Sequence, residues 1–127
     1  MAGQFDVHTV AVNYGAFTGA TAIPLIYLSE DGGAITILDA KVIGQAAGTS
    51  VTLGLYTYSN AGTPAVNGTI GTFSGTVVYA AGVTDSCTIT DATVDPSTTG
   101  IWIGLDQASG TAGVNSILAL TYIMGGG

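Results

Sequence analysis

The chain has 127 residues and a mass of 12.5 kDa, the length of one domain with one hydrophobic core. One Lys+Arg stands against eight Asp+Glu, for a net charge of −7, so nucleic acid and anionic membranes, which are met through Lys and Arg, are excluded as partners. An apolar content of 47% and a mean hydropathy of +0.56 exclude a disordered chain, and glycine without a three-residue period excludes collagen.

In chain order, Met1–His8 has neither a basic n-region nor an apolar h-region. No secretory leader is expected, and synthesis in a reducing host cytoplasm is. Phe5–Asn13 alternates, with Phe5, Val7, Thr9 and Ala11 on one face and Asp6, His8, Val10 and Val12 on the other. Thr21–Leu28 is a second strand, which Pro24 marks as an edge or a bulge. Ser29–Gly33 reads as a turn. Ala34–Ile43 follows, kinking near Asp39-Ala40. In Ser50–Tyr58, Val51, Leu53 and Leu55 face one way while Thr52, Tyr56 and Tyr58 face the other. Ser59–Gly68 reads as a loop, Thr69–Ala80 and Asp85–Thr93 as strands, and Asp95-Pro96-Ser97 as a turn. Gly100–Asp106 points Ile101, Ile103 and Leu105 inward, with Trp102 and Gly104 on its other face. Val114–Met124 is the last strand.

These are eight strands with no helix between them. Without crossover helices the pairing should be antiparallel, and the expectation is an all-β, jelly-roll-like antiparallel β-sandwich. An immunoglobulin-type sandwich is the alternative, although it has seven strands and a Cys…Trp…Cys pattern that is absent here. Residues 1–124 form the single domain, with residues 1–4 as an N-terminal arm and 125–127 as a flexible glycine tail. Period-two spacing places the core at Val51, Leu53, Leu55, Ile101, Ile103, Leu105, Ile117 and Ile123. The densest apolar runs, Ala22–Leu28 and Ile117–Met124, fall short of the roughly 18–20 residues of a spanning helix.

The outer faces carry Thr, Ser, Gly, Ala and Tyr where a free monomer usually carries Lys, Glu and Arg. Such surfaces desolvate at little cost, and interface cores are depleted in charge and enriched in aromatics. A homo-oligomer is therefore expected, with interface residues Phe5, His8, Tyr56, Tyr58 and Trp102. Tyr56, Tyr58 and Trp102 also have the chemistry of a sugar-stacking platform.

Catalytic chemistry finds little to build on. His8 is the sole imidazole, with Asp6 two residues away on the same face, and no Ser or Thr is singled out as its nucleophile. Glu30 and Asp31, adjacent in a turn, read as solvated caps rather than a hydrolytic pair. Asp91 and Asp95 could contribute oxygens to a calcium site, but no known calcium-loop spacing accompanies them. Cys87 is single and alternates with Ile89, which reads as a small buried hydrophobe. No catalytic residue, cofactor or resident metal is expected, and the chain is read as a non-enzyme.

Ala47-Gly48-Thr49-Ser50-Val51, Asn67-Gly68-Thr69-Ile70-Gly71 and Ser109-Gly110-Thr111-Ala112-Gly113 carry a further signal. With them, the whole chain resembles the small capsid decoration (cement) proteins of tailed bacteriophages, in composition rather than by a motif. The resemblance implies a homotrimer on the outer surface of the virion, bound to the major capsid protein and clamping capsomers against packaged DNA. A receptor- or glycan-binding jelly-roll module of a tail fibre or appendage is the alternative. The N-terminal segment Met1–Asn13 is expected to help docking by strand addition, with Phe5 as its anchor.

Overall fold

Alternation of apolar and small polar side chains builds nine strands in the computed structural model, which describes residues 7–15, 21–44, 52–61, 65–73, 84–108 and 116–125. The strands are β1 (Val7–Gly15), β2 (Thr21–Leu28), β3 (Ile35–Ile43), β4 (Leu53–Ser59), β5 (Val66–Phe73), β6 (Thr84–Ile89), β7 (Thr93–Val94), β8 (Ile101–Gln107) and β9 (Ser116–Met124), with a 3-10 turn at Glu30–Gly32. Every pairing is antiparallel. Eight strands follow the order β1-β9-β3-β6-β5-β4-β8-β2, and β7 pairs with β3. No helix among the described residues is long and apolar enough to cross a membrane.

β6 joins the two halves of this sheet. Its first residues pair with β3 (Lys41↔Ser86) and its last with β5 (Phe73↔Cys87). One layer is therefore β1-β9-β3-β6 and the other β2-β8-β4-β5, the chain passing between them except where β4 leads into β5 and β6 into β7. That is jelly-roll connectivity, two interleaved Greek keys closed into a nearly complete barrel. The immunoglobulin alternative falls with it.

The core lies between the layers and is continuous. Ile37, Ala40, Val42, Leu118 and Leu120 enter from one side, and Ile23, Leu53, Leu55, Ile101, Ile103 and Leu105 from the other. Leu53, Leu55, Ile101, Ile103 and Leu105 are thus where alternation placed them, while Val51 lies outside the described residues. Ile117 and Ile123 correct the expectation. Both are half-buried on the outer face of β9, and Leu118 and Leu120 fill the core instead.

Local features follow the sequence closely. β2 lies at an end of the strand order and bulges between Pro24 and Ile26, since proline cannot donate to a ladder. β3 slips register between Ile37 and Asp39, close to the expected kink. Ser29 caps the 3-10 turn by accepting the Asp31 amide on Oγ at 3.2 Å. Asp95 accepts the Ser97 amide at 2.8 Å, an Asx turn. Asp85–Thr93 is not one strand but β6 followed by β7, and the expected Ser59–Gly68 loop gives its last residues to β5. Gly125 is no free tail residue. Its amide donates to the Ala34 carbonyl at 2.8 Å, and its carbonyl accepts from Thr36 Oγ1 at 2.8 Å, because the chain keeps pairing beside β3. Residues 1–4 and 126–127 lie outside the described residues.

Candidate functional site

In the β2-β8-β4 layer, the face opposite the core gathers aromatics through register. Tyr27 lies across from Trp102, and Trp102 across from Tyr58. One step along, Tyr56 lies across from Gly104. The Tyr27 and Trp102 rings pack with centroids 5.1 Å apart and planes tilted by 48°, within the range favoured by aromatic pairs. A Cβ on Gly100, whose φ is +81°, would strike the Tyr27 hydroxyl and lie 2.7 Å from its Cζ. Only glycine suits that backbone and lets the ring approach.

A chain of hydrogen bonds fixes the rings. Trp102 Nε1 donates to Asn60 Oδ1 at 3.2 Å, and Asn60 Nδ2 donates to the Thr99 carbonyl at 2.9 Å and to the Tyr27 hydroxyl at 3.4 Å. The Tyr27 hydroxyl in turn donates to Glu30 Oε2 at 3.2 Å. The donors run in one direction, from indole to carboxylate, which sets the Asn60 amide orientation. Desolvation holds the Tyr27 phenol above its ordinary pKa, and its hydrogen bond to Glu30 and the charges of Glu30 and Asp31 add to the effect. Tyr27 keeps its proton and remains a donor. With Tyr27 still 42% exposed, the arrangement is a preorganised aromatic surface with a carboxylate at its rim.

The sequence-expected site residues divide between places. Tyr56 and Trp102 reach this face, both half-buried. Tyr58 is corrected as an interface residue, because it is 0% exposed and its hydroxyl donates to the Leu105 carbonyl at 2.8 Å. It lies buried on the face opposite the core and ties β4 to β8 there. His8 sits in the other layer, exposed and stacked on Tyr122 with centroids 5.4 Å apart. Phe5 and Asp6 lie outside the described residues. Tyr27, Asn60 and Glu30 were not foreseen at this site.

The outer face of the β1-β9-β3 layer is small and nearly uncharged. Thr9 and Thr121 share a 3.1 Å hydrogen bond between opposed strands, and Ala11 faces Ala119. The Lys41–Asp39 contact of 3.7 Å is the ion pair there, with both side chains largely solvated. Such a pair contributes at most about 1 kcal/mol.

Asp91 and Asp95 line a cavity of about 270 Å³ together with Thr57, Asn67 and Thr93. Among the described residues no group of three or more His, Cys, Asp or Glu converges on a metal position. Cys87 is buried, and burial first, then the Asp39 charge, push its thiol up to about 11. The thiol should therefore resist iodoacetamide at pH 8 in the folded chain and react fully in guanidinium. Tyr58 also holds its proton more tightly than a free phenol, mainly through burial, with the Asp106 charge second. For both groups the native state binds protons that the unfolded state has released, so stability falls as pH rises. The loss should begin near pH 9, where the free thiol titrates, and deepen past pH 10 with Tyr58. Melting temperatures at pH 8, 10 and 11 check this, and a flat profile would contradict it.

No family model and no curated protein matches this sequence. Among solved structures, a chain of the infectious bursal disease virus structure, Gx strain, superposes with a TM-score of 0.51 at 12% identity. The match covers 98% of this chain and 33% of the viral one, so this chain spans about a third of its neighbour's length. At that identity what the two share is the fold, an antiparallel jelly-roll barrel.

Proposed function

We propose that this protein is a virion structural protein, a capsid decoration or cement protein that binds the outside of a phage head as a homotrimer and stabilises it. Its partners are the major capsid protein and further copies of itself, and its role is binding rather than catalysis. The observation that carries this reading is the outer face of β1-β9-β3, where Thr9, Thr121, Ala11 and Ala119 offer a surface that desolvates at little cost. Interfaces place their uncharged residues at the centre for that reason. The shared fold with a chain from a virus structure supports the reading, as does the resemblance of the sequence to phage cement proteins. On this view the protein is made in the host cytoplasm and ends on the outer capsid surface.

Quantitative mass spectrometry of purified particles tests it. A copy number that tracks the major capsid protein is the expected result, and a handful of copies would point to a tail component. Sedimentation should show a trimer, and a structure of that trimer should show contacts burying more than about 1,000 Å². A monodisperse 12.5 kDa species at high concentration would count against self-association.

A second reading is favoured by the Tyr27–Trp102 pair, whose exposed ring and Glu30 rim suit sugar stacking and hydroxyl recognition. A glycan array followed by Trp102 fluorescence titration separates the two. Saturable glycan binding lost in Tyr27→Ala would favour a tail-fibre or appendage module.

A further inference from the structure

The strand order ends at β1 and β2, and neither has a second full ladder partner among the described residues. The two ends differ in chemistry. β2 carries Pro24 and a bulge, both of which blunt an edge against pairing. β1, with the sequence VHTVAVNYG, has no proline and no Lys, Arg, Asp or Glu across nine residues. Its register with β9 is unbroken from Val7 to Asn13. A long, uncharged edge of this kind is a template for another strand.

β1 and β2 touch but share no ladder among the described residues. Between them lies an apolar cavity of about 270 Å³, lined among others by Val10 of β1, Ile26 and Leu28 of β2, Ile103 of β8, and Leu120 and Tyr122 of β9. Val10, Ile26, Leu28 and Tyr122 pack on the core while remaining partly exposed. Interior side chains are therefore open to solvent where the barrel fails to close. The volume is below the roughly 300–1,000 Å³ of pockets that enclose a drug-sized molecule, and it suits a row of aliphatic side chains.

We propose that this gap receives an extended segment of a partner protein, which pairs with the free edge of β1 and places alternate apolar side chains in the cavity. Main-chain bonds to β1 supply affinity, and the cavity selects every second side chain. Antiparallel steps along the order set β1 and β2 antiparallel, so the Val7 end of β1 faces the Leu28 end of β2. Glu30 and Asp31 follow directly and are exposed. A segment antiparallel to β1 brings its C-terminal end to these carboxylates, and complementarity calls for Lys or Arg there. A second copy cannot supply that residue. The chain has one Lys+Arg, and Lys41 lies within β3, paired on both sides with Ala119 and Ser86. The occupant is a different protein. Tyr27 lines this cavity as well and Glu30 also rims the Tyr27–Trp102 face, so the two sites adjoin, and the proposal stands whether or not the partner is a capsid protein.

The probe is the synthetic peptide acetyl-TVTVTVTVK-amide, read by amide hydrogen exchange on the full chain. Two controls are a peptide of the same composition with its valines contiguous and one with Glu in place of Lys. The expected result is slowed exchange across Val7–Gly15 with the alternating Lys peptide alone. The exposed double variant Glu30→Gln/Asp31→Asn should bind it about fivefold more weakly, the effect of a rim charge pair. Absence of protection at β1, or equal binding by either control, overturns the proposal. So does protection, without peptide, of the β1 amides that do not point at β9. If that protection grows with protein concentration the occupant is a second copy, and if it vanishes when residues 1–6 are deleted the occupant is the chain's own N-terminal segment.

Discussion

Truncating Leu105 to Ala lowers the stability of the fold by roughly 2–5 kcal/mol, the range for a buried leucine whose cavity relaxes only in part. Leu105 is 0% exposed and lies in β8 between two buried cross-strand neighbours, Leu55 of β4 and Ile23 of β2. Strands hold it on both sides, so the surrounding backbone has little freedom to collapse into the space. Its carbonyl also accepts the buried Tyr58 hydroxyl, so movement of β8 would disturb a second buried group. Urea unfolding of Leu105→Ala beside Ile117→Ala gives the measurement its meaning. Ile117 lies on the half-buried outer face of β9 and loses less contact on truncation. Equal losses at the two sites would mean that β9 packs through its other face.

That comparison also shows where period-two reading works and where it stops. In β8 the pattern is clear, because Ile101, Ile103 and Leu105 alternate with Trp102, Gly104 and Asp106. One face is aliphatic and the other is not. β9 reads Ser-Ile-Leu-Ala-Leu-Thr-Tyr-Ile-Met, apolar at both parities, so alternation cannot choose between Ile117 and Leu118. Only the register does, setting Leu118 against the buried Val42. A one-residue slip would exchange the faces.

The aromatic site was half legible for a related reason. Trp102 and Tyr56 could be placed on the outer face from their own strands. Tyr27 could not, because unbroken alternation from the buried Ile23 would turn Leu25 and Tyr27 inward. The bulge after Pro24 adds one residue, so Ile26 and Leu28 face inward and Tyr27 swings out opposite Trp102. Pro24 signals that a bulge is allowed but does not say on which residue parity resumes. Asn60 is a loop residue by every local measure, and its role depends on Thr99 and Trp102, both about forty positions away. Tyr58 shares its strand face with Tyr56 but ends fully buried, which local alternation does not encode.

Gly104→Ala should be among the most damaging single substitutions in the chain and should remove the aromatic surface along with stability. Gly104 lies opposite Pro24, where the β2 bulge presses the two backbones together. A Cβ at this position would collide with the Ile23 carbonyl oxygen and sit 2.7 Å from Pro24 Cα. These neighbours are main chain, so no rotamer change relieves the overlap and β2 must move as a unit. Overpacking of this kind typically costs about 1–3 kcal/mol, and more where the backbone has to yield. Gly54→Ala is the informative contrast, since its Cβ would meet the Tyr56 ring, a side chain that can rotate away. Trp102 is the single tryptophan, so its fluorescence reports the site directly. In Gly104→Ala the emission should shift to the red as Tyr27 withdraws from Trp102, with loss of near-ultraviolet dichroism, while Gly54→Ala keeps both signals. If Gly104→Ala leaves the melting temperature and the Trp102 emission unchanged, the close approach of β2 to β8 is not what positions Tyr27.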